Sequence, residues 1–186
     1  MSRGTWLMLI DLQRIFGEPD SQWFTPQFAA AEAGAVRLRS LFPARTALTR
    51  FRAPETPQGA WVPYYEQWPF ALDPANADLY DLVPAVPTGD AVLIDRPTFG
   101  KWDAATRAAL GDTRDIVLAG VSTDCCVLST ALAAADDGVR VRVVTDACAG
   151  LSDTDHRRAL AAMALYAPLI ELTDIATILA ERGLSR

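Results

Sequence analysis

The run Trp6 to Ile10 (WLMLI) is apolar at every position and stops at Asp11. A run so short and so uniform is the pattern of a strand buried on both faces of a parallel sheet, not of a half-exposed strand that alternates. Runs of the same kind recur at Thr46–Phe51, Ala91–Asp95, Asp115–Gly120, Val139–Thr145 and Leu169–Leu172. Between them lie helical patterns at Phe28–Phe42, Trp102–Leu110, Asp124–Asp137, Thr154–Tyr166 and Asp174–Arg182. This alternation predicts right-handed crossovers and a three-layer α/β/α domain with a doubly wound, mostly parallel sheet of about six strands. Functional groups are expected at the carboxyl ends of those strands.

Two segments interrupt the rhythm. Gly17–Pro26 and, above all, Pro54–Pro87 are long and rich in proline and aromatic residues, the latter holding Trp61, Tyr64, Tyr65, Trp68 and Phe70. Loops of this length are lids or partner surfaces, or else irregular packing over a sheet edge. Neither an internal repeat nor an interdomain linker is visible, so residues 1–186 are expected to form a single domain with a proline- and aromatic-rich insertion or lid at about 54–87.

Composition narrows the function classes. With 186 residues, 51% hydrophobic and 22% charged, the chain suits one folded domain of ordinary size. No apolar run reaches about 18 residues. Met1–Ile10 lacks the pattern of a secretory signal, and Ser185–Arg186 carries no recognised targeting signal, so a cytoplasmic protein with no membrane partner is expected. A net charge of -6 and the lack of a basic stripe argue against nucleic acid as a partner. Cys125, Cys126 and Cys148 are an odd number with no CxxC pair, so a disulfide framework is not expected. His156 is the sole histidine and sits in a run of charged residues; it is expected on the solvated surface.

No glycine-rich dinucleotide or phosphate-binding motif follows a strand, and no GxSxG elbow is present, so no nucleotide cofactor is expected. What remains is three strand ends: Asp11, Arg96 and the cysteine pair after IVLAG. With Asp124 as N-cap, Cys125 and Cys126 fall in the first helical turn, where the helix end favours thiolate and Arg96 is the candidate cation. A thiol nucleophile needs a group to manage its proton, and Asp11 can fill that role or serve as a turn cap. Cys126 has a second reading as a small buried hydrophobe, which is also the reading for Cys148.

Taken together, Leu118–Ala131 with its Cys126-Val127 pair, the opening Asp11-Leu12-Gln13 and the strand end Val144–Cys148 resemble the signatures of the isochorismatase-like cysteine hydrolases. The resemblance runs from Trp6 to about Leu172. It implies that Asp11 is the general acid/base, that Cys126 attacks a carbonyl carbon to form a thioester, and that the backbone N–H groups of Ser122 and Cys126 form an oxyanion hole. It also implies a cis bond matching Val121-Ser122, and Gln13 and Thr123 as supports. Gln13, Phe16, Trp61, Tyr64, Trp68 and Thr123 are the expected substrate-binding residues.

Two departures from the family pattern matter. The family lysine is matched by Arg96, which can hold a thiolate but cannot release a proton at neutral pH. Lys101, five residues on, is the alternative cation, ranked second because it is placed at the start of the helix with Trp102. The metal ligands of the nicotinamidase branch have no counterpart in Thr49–Pro54, so no metal is expected. The leading expectation is a metal-independent cysteine amidohydrolase acting on a small amide or carbamoyl substrate with Asp11, Arg96 and Cys126. The alternatives are an isochorismatase-type hydrolase on a non-amide substrate, a catalytically silent binding relative, and a vicinal-thiol redox sensor, which disulfide geometry disfavours. The family resemblance further implies a homo-oligomer, a dimer or larger.

Overall fold

A computed structural model describes residues 4–111 and 113–182; Met1 and Ser185–Arg186 lie outside them. The predicted strands form β1 (Trp6–Ile10), β2 (Thr46–Phe51), β3 (Val92–Arg96), β4 (Asp115–Val121), β5 (Arg140–Ala149) and β6 (Ile170–Thr173). They make one all-parallel sheet in the order β3-β2-β1-β4-β5-β6. The chain winds outward from β1 to one edge, returns to β4, and winds to the other edge. The strand order therefore reverses between β1 and β4, where this architecture opens a crevice.

Alternation within the apolar runs builds the two outer layers. Leu7, Leu9, Val117 and Ala119 face α2 (Phe28–Arg39) and α7 (Ile175–Glu181). Met8, Ile10, Ile116 and Leu118 face the opposite core with α5 (Leu128–Asp136) and α6 (Asp153–Ala164). The centre of the sheet tolerates no side chain at Gly120. Its φ is +120°, and a Cβ there would lie 2.2 Å from the Ile10 carbonyl oxygen of the neighbouring strand.

Several boundaries differ from the sequence expectation. The long Pro54–Pro87 stretch is not irregular throughout: it contains a helix at Trp61–Gln67 and two 3₁₀ segments at Pro69–Leu72 and Pro74–Tyr80. Prolines at the first positions of both 3₁₀ segments fit there because their missing N–H groups would have no partner anyway. β5 continues through Cys148 to Ala149, and the helix expected to begin at Trp102 begins at Ala104, capped by Asp103. A π-helical turn at Thr123–Val127, entered from Ser122, precedes α5. Ser122 is therefore the cap residue in place of Asp124.

Candidate active site

The end of β1 delivers Asp11 into the crevice at a φ of +49°, a left-handed conformation that aspartate tolerates better than most residues. Both Asp11 and Lys101 are 0% exposed, and Lys101 Nζ lies 3.1 Å from Asp11 Oδ2. Thr49, on the neighbouring strand β2, donates its hydroxyl to Asp11 Oδ1 at 2.6 Å and accepts the Asp11 backbone N–H at 3.1 Å. Asp11 Oδ2 faces the ammonium as an ion pair but takes no well-directed hydrogen bond from it. Lys101 also donates to the Thr98 carbonyl, and its ammonium sits 5.0 Å from the centre of the Phe51 ring.

Cys126 is 3% exposed, in the π-helical turn after β4. Burial pushes its thiol well above the ordinary value, the Asp11 carboxylate adds to that, and Lys101 opposes it. Ionisation of Cys126 is thus disfavoured in the place it occupies beside Asp11 and Lys101. A thiolate favoured by the helix end, as expected from the sequence, is not what the buried turn provides. Thr130 ties the parts together: its hydroxyl donates to the Cys126 carbonyl at 2.6 Å and accepts the Lys101 N–H at 3.0 Å.

Arg96 is not part of this cluster, which corrects the first choice of cation. At the edge strand β3 its guanidinium forks onto Asp103 at 2.7 and 2.9 Å, and reaches Thr106 and the Asp95 carbonyl. Those bonds fasten the start of α4 (Ala104–Ala109). The chain then turns back over residues 97–100, so Lys101 and not Arg96 enters the crevice. Sequence reasoning ranked Lys101 lower by placing it inside a helix that starts after it.

Above the thiol lies a cavity of about 240 Å³, walled by Phe16, Trp23, Phe51, Tyr64, Trp68 and Phe99. Ser122, Asp124, Cys125, Cys126 and Leu151 complete one side, with Gln22 and Thr25 at the rim. Phe16, Tyr64 and Trp68 thus stand where the sequence placed substrate contacts. Three other expected contacts do not line the cavity. Gln13 is fully buried and staples the chain, its amide bonded to Phe51 N, Phe51 O and Tyr80 O. Trp61 packs behind the wall on Tyr64, Tyr65 and Phe99. Thr123 is fully buried and its hydroxyl lies 2.8 Å from His156 Nδ1.

Trp23 was the main omission, and it is the hub of the wall. Its ring lies against Phe16, Phe51, Tyr64, Trp68 and Phe70, with centroids 5.1 to 6.4 Å apart. The signal that could have found it was its place in the interrupting segment Gly17–Pro26. His156 is half-buried and not a solvated surface residue, and burial lowers its pKa. Cys148 is buried in the core, in line with its reading as a small buried hydrophobe. The peptide between Val121 and Ser122 is cis, at the position the resemblance implied.

Among the described residues, no three His, Cys, Asp or Glu side chains come together as metal ligands. At the end of β2 Arg50 and Phe51 present a guanidinium and a phenyl group, which are not metal ligands, and Arg50 is paired with Asp95 at 2.6 Å. Among the described residues, no helix is long and apolar enough to cross a membrane.

Comparison with known proteins gives the family to which this sheet belongs. The isochorismatase domain model matches residues 5–175, and the chain belongs to the isochorismatase-like hydrolase family. It is 29% identical over 157 residues to isochorismatase domain-containing protein 2 of Macaca fascicularis, covering 84% of this chain and 65% of that one. The match therefore spans just under two thirds of the relative's length. In fold it resembles a cysteine hydrolase from Pseudomonas syringae pv. phaseolicola, with a TM-score of 0.82, 20% identity, and coverage of 96% and 92% of the two chains. A nicotinamidase/pyrazinamidase of Acinetobacter baumanii gives a TM-score of 0.78 at 16% identity, covering 96% of this chain and all of that one.

Proposed function

We propose that the protein is a cysteine hydrolase that cleaves a small amide or carbamoyl C–N bond through a thioester, with Asp11, Lys101 and Cys126 as its working set. The observation that carries this reading is the buried Lys101–Asp11 pair set against the Cys126 thiol at the floor of an apolar cavity. A redox reading of Cys125 and Cys126 leaves that ion pair without a task.

The chemistry follows from the starting protonation state. Substrate occupying the cavity excludes water, and the Cys126 proton passes to Asp11 Oδ2, the oxygen not engaged by Thr49. Sγ forms a bond to the carbonyl carbon, and the oxygen takes up negative charge. Ser122 and Cys126 line the cavity, and their backbone N–H groups are the donors assigned to that oxyanion. The C–N bond then breaks as Asp11 returns its proton to the departing nitrogen, leaving the thioester. Water adds to the thioester carbon and gives a proton to Asp11; the C–S bond breaks, the acid departs and Cys126 is reprotonated. Lys101, 3.1 Å from Asp11 Oδ2, offsets the negative charge that develops on the sulfur.

The test is ammonia release from a panel of small primary amides and carbamoyl compounds. Cys126→Ala and Lys101→Met should each lower kcat/KM by about a thousandfold or more. Arg96→Gln, whose guanidinium is engaged by Asp103 and not by Asp11, should stay within about tenfold of the parent. Loss in Arg96→Gln with retention in Lys101→Met would reverse the assignment. Circular dichroism of each variant separates loss of chemistry from loss of fold.

A further inference from the structure

The walls of the cavity are unusually one-sided in charge. Six of its lining residues are aromatic, and Asp124 is the one ionisable acid or base among its lining residues apart from the thiols and Tyr64. Lys101 lies beneath Phe51 and is committed to Asp11, so it offers nothing to a ligand in the upper cavity. Among the described residues, cations rest on the rings of Trp6, Phe51 and Phe42, and none rests on Trp23, Tyr64 or Trp68.

Asp124 is half-buried. Its Oδ1 accepts the Leu151 N–H at 2.9 Å, and its Oδ2 has only the weak Cys125 Sγ–H donor at 3.6 Å. No arginine or lysine among the described residues forms an ion pair with it. The neighbouring base is His156, which burial disfavours in its charged form. A carboxylate and a cluster of aromatic side chains therefore line one cavity, and among the described residues no arginine or lysine pairs with Asp124 or rests on Trp23, Tyr64 or Trp68.

We propose that the part of the substrate retained as the acyl group carries a positive charge, an alkylammonium or pyridinium, seated against Trp23, Tyr64 and Trp68 with Asp124 as its counter-ion. This rests on the amide-hydrolase reading and gives it a substrate class. A ring face attracts a cation most strongly when both are removed from water, which the cavity provides. An anionic substrate would meet Asp124 as a like charge and find no partner on the wall. Asp124, Cys125 and Cys126 all line the cavity, so a ligand there reaches both the carboxylate and the thiol.

Binding is measured by calorimetry on Cys126→Ala, so that no turnover intervenes, using three amides of one shape. These are the N-methylpyridinium meta-carboxamide cation, the uncharged isostere meta-toluamide, and the anion meta-carbamoylbenzoate. The cation should bind about tenfold more tightly than the isostere, and the anion most weakly. Asp124→Asn keeps an acceptor for the Leu151 N–H and removes the charge; it should cut the cation's advantage to about threefold. Trp68→Leu should weaken the cation more than the isostere. Equal binding of cation and isostere, an advantage still at about tenfold in Asp124→Asn, or failure of all three to bind would overturn the proposal. Ammonia release by the protein with Cys126 intact is read separately. A cation advantage in binding with no turnover of any amide would sink the hydrolase reading and leave the cation site standing.

Discussion

A thiol sealed from water is a poor nucleophile until something takes its proton, and that is the position of Cys126. Burial raises all three thiols; Cys125 is pushed up to about 11 and Cys148 to about 12, with Cys126 raised by both burial and the Asp11 charge. Raising the pKa keeps sulfur neutral in the absence of substrate, which protects it from oxidation and adventitious alkylation. The sign for reactivity follows: at neutral pH each thiol should react with iodoacetamide more slowly than free cysteine. Cys125 lines the cavity and should react first, its rate rising about tenfold per pH unit on the way to about 11. Peptide mass spectrometry across pH 6 to 10 checks this. Rapid alkylation of Cys126 near pH 6 would mean that the resting thiol is already ionised.

The elements that carry these residues were legible to different degrees, for physical reasons. Runs such as WLMLI are buried on both faces, so their pattern is set by the sheet alone and the six strands could be read. The end of β1 places Asp11 and the end of β4 places the cysteines because both strands flank the point of reversal. Lys101 was harder, because its position depends on a turn after an edge strand and on Thr130, which comes from another element. The wall of the cavity was half legible: the ring content of residues 61–70 announced it, while Trp23 reaches it only through the packing of a separate loop. At the start of α4, Asp103 accepts the Thr106 N–H at 2.7 Å and the Arg96 fork, and its carboxyl is held down at about 2, chiefly by its hydrogen bond to Arg96. Its folded pKa lies below its unfolded one, so the stabilisation is complete above about pH 4 and disappears as pH falls toward 2. Asp103→Ala should cost about 1 kcal/mol at pH 7. Urea titration should show that difference shrinking between pH 4 and 2.

Across the whole molecule the two ends of the sheet do different work. The carboxyl end opens a cavity and holds Asp11, Lys101 and Cys126; the amino end is closed by a second buried cluster that touches none of them. There Arg142, 1% exposed, pairs with Glu181 of α7 at 2.8 Å and with Asp115 of β4 at 3.4 Å, while Thr5 donates to Asp115 at 2.8 Å. The cluster joins β4, β5 and the last helix at the pole remote from the chemistry. Removing its cation leaves the Asp115 carboxylate without its guanidinium counter-ion, so Arg142→Leu should cost about 3 kcal/mol and lower Tm by about 10 °C. The folded fraction should retain the parent kcat/KM, because nothing in the cluster reaches the cavity. A drop in kcat/KM at a temperature where the variant is fully folded would mean that the amino pole constrains the geometry at Asp11 and Cys126. Unchanged kcat/KM beside a lowered Tm would establish that stability and chemistry are divided between the two ends of the same six strands.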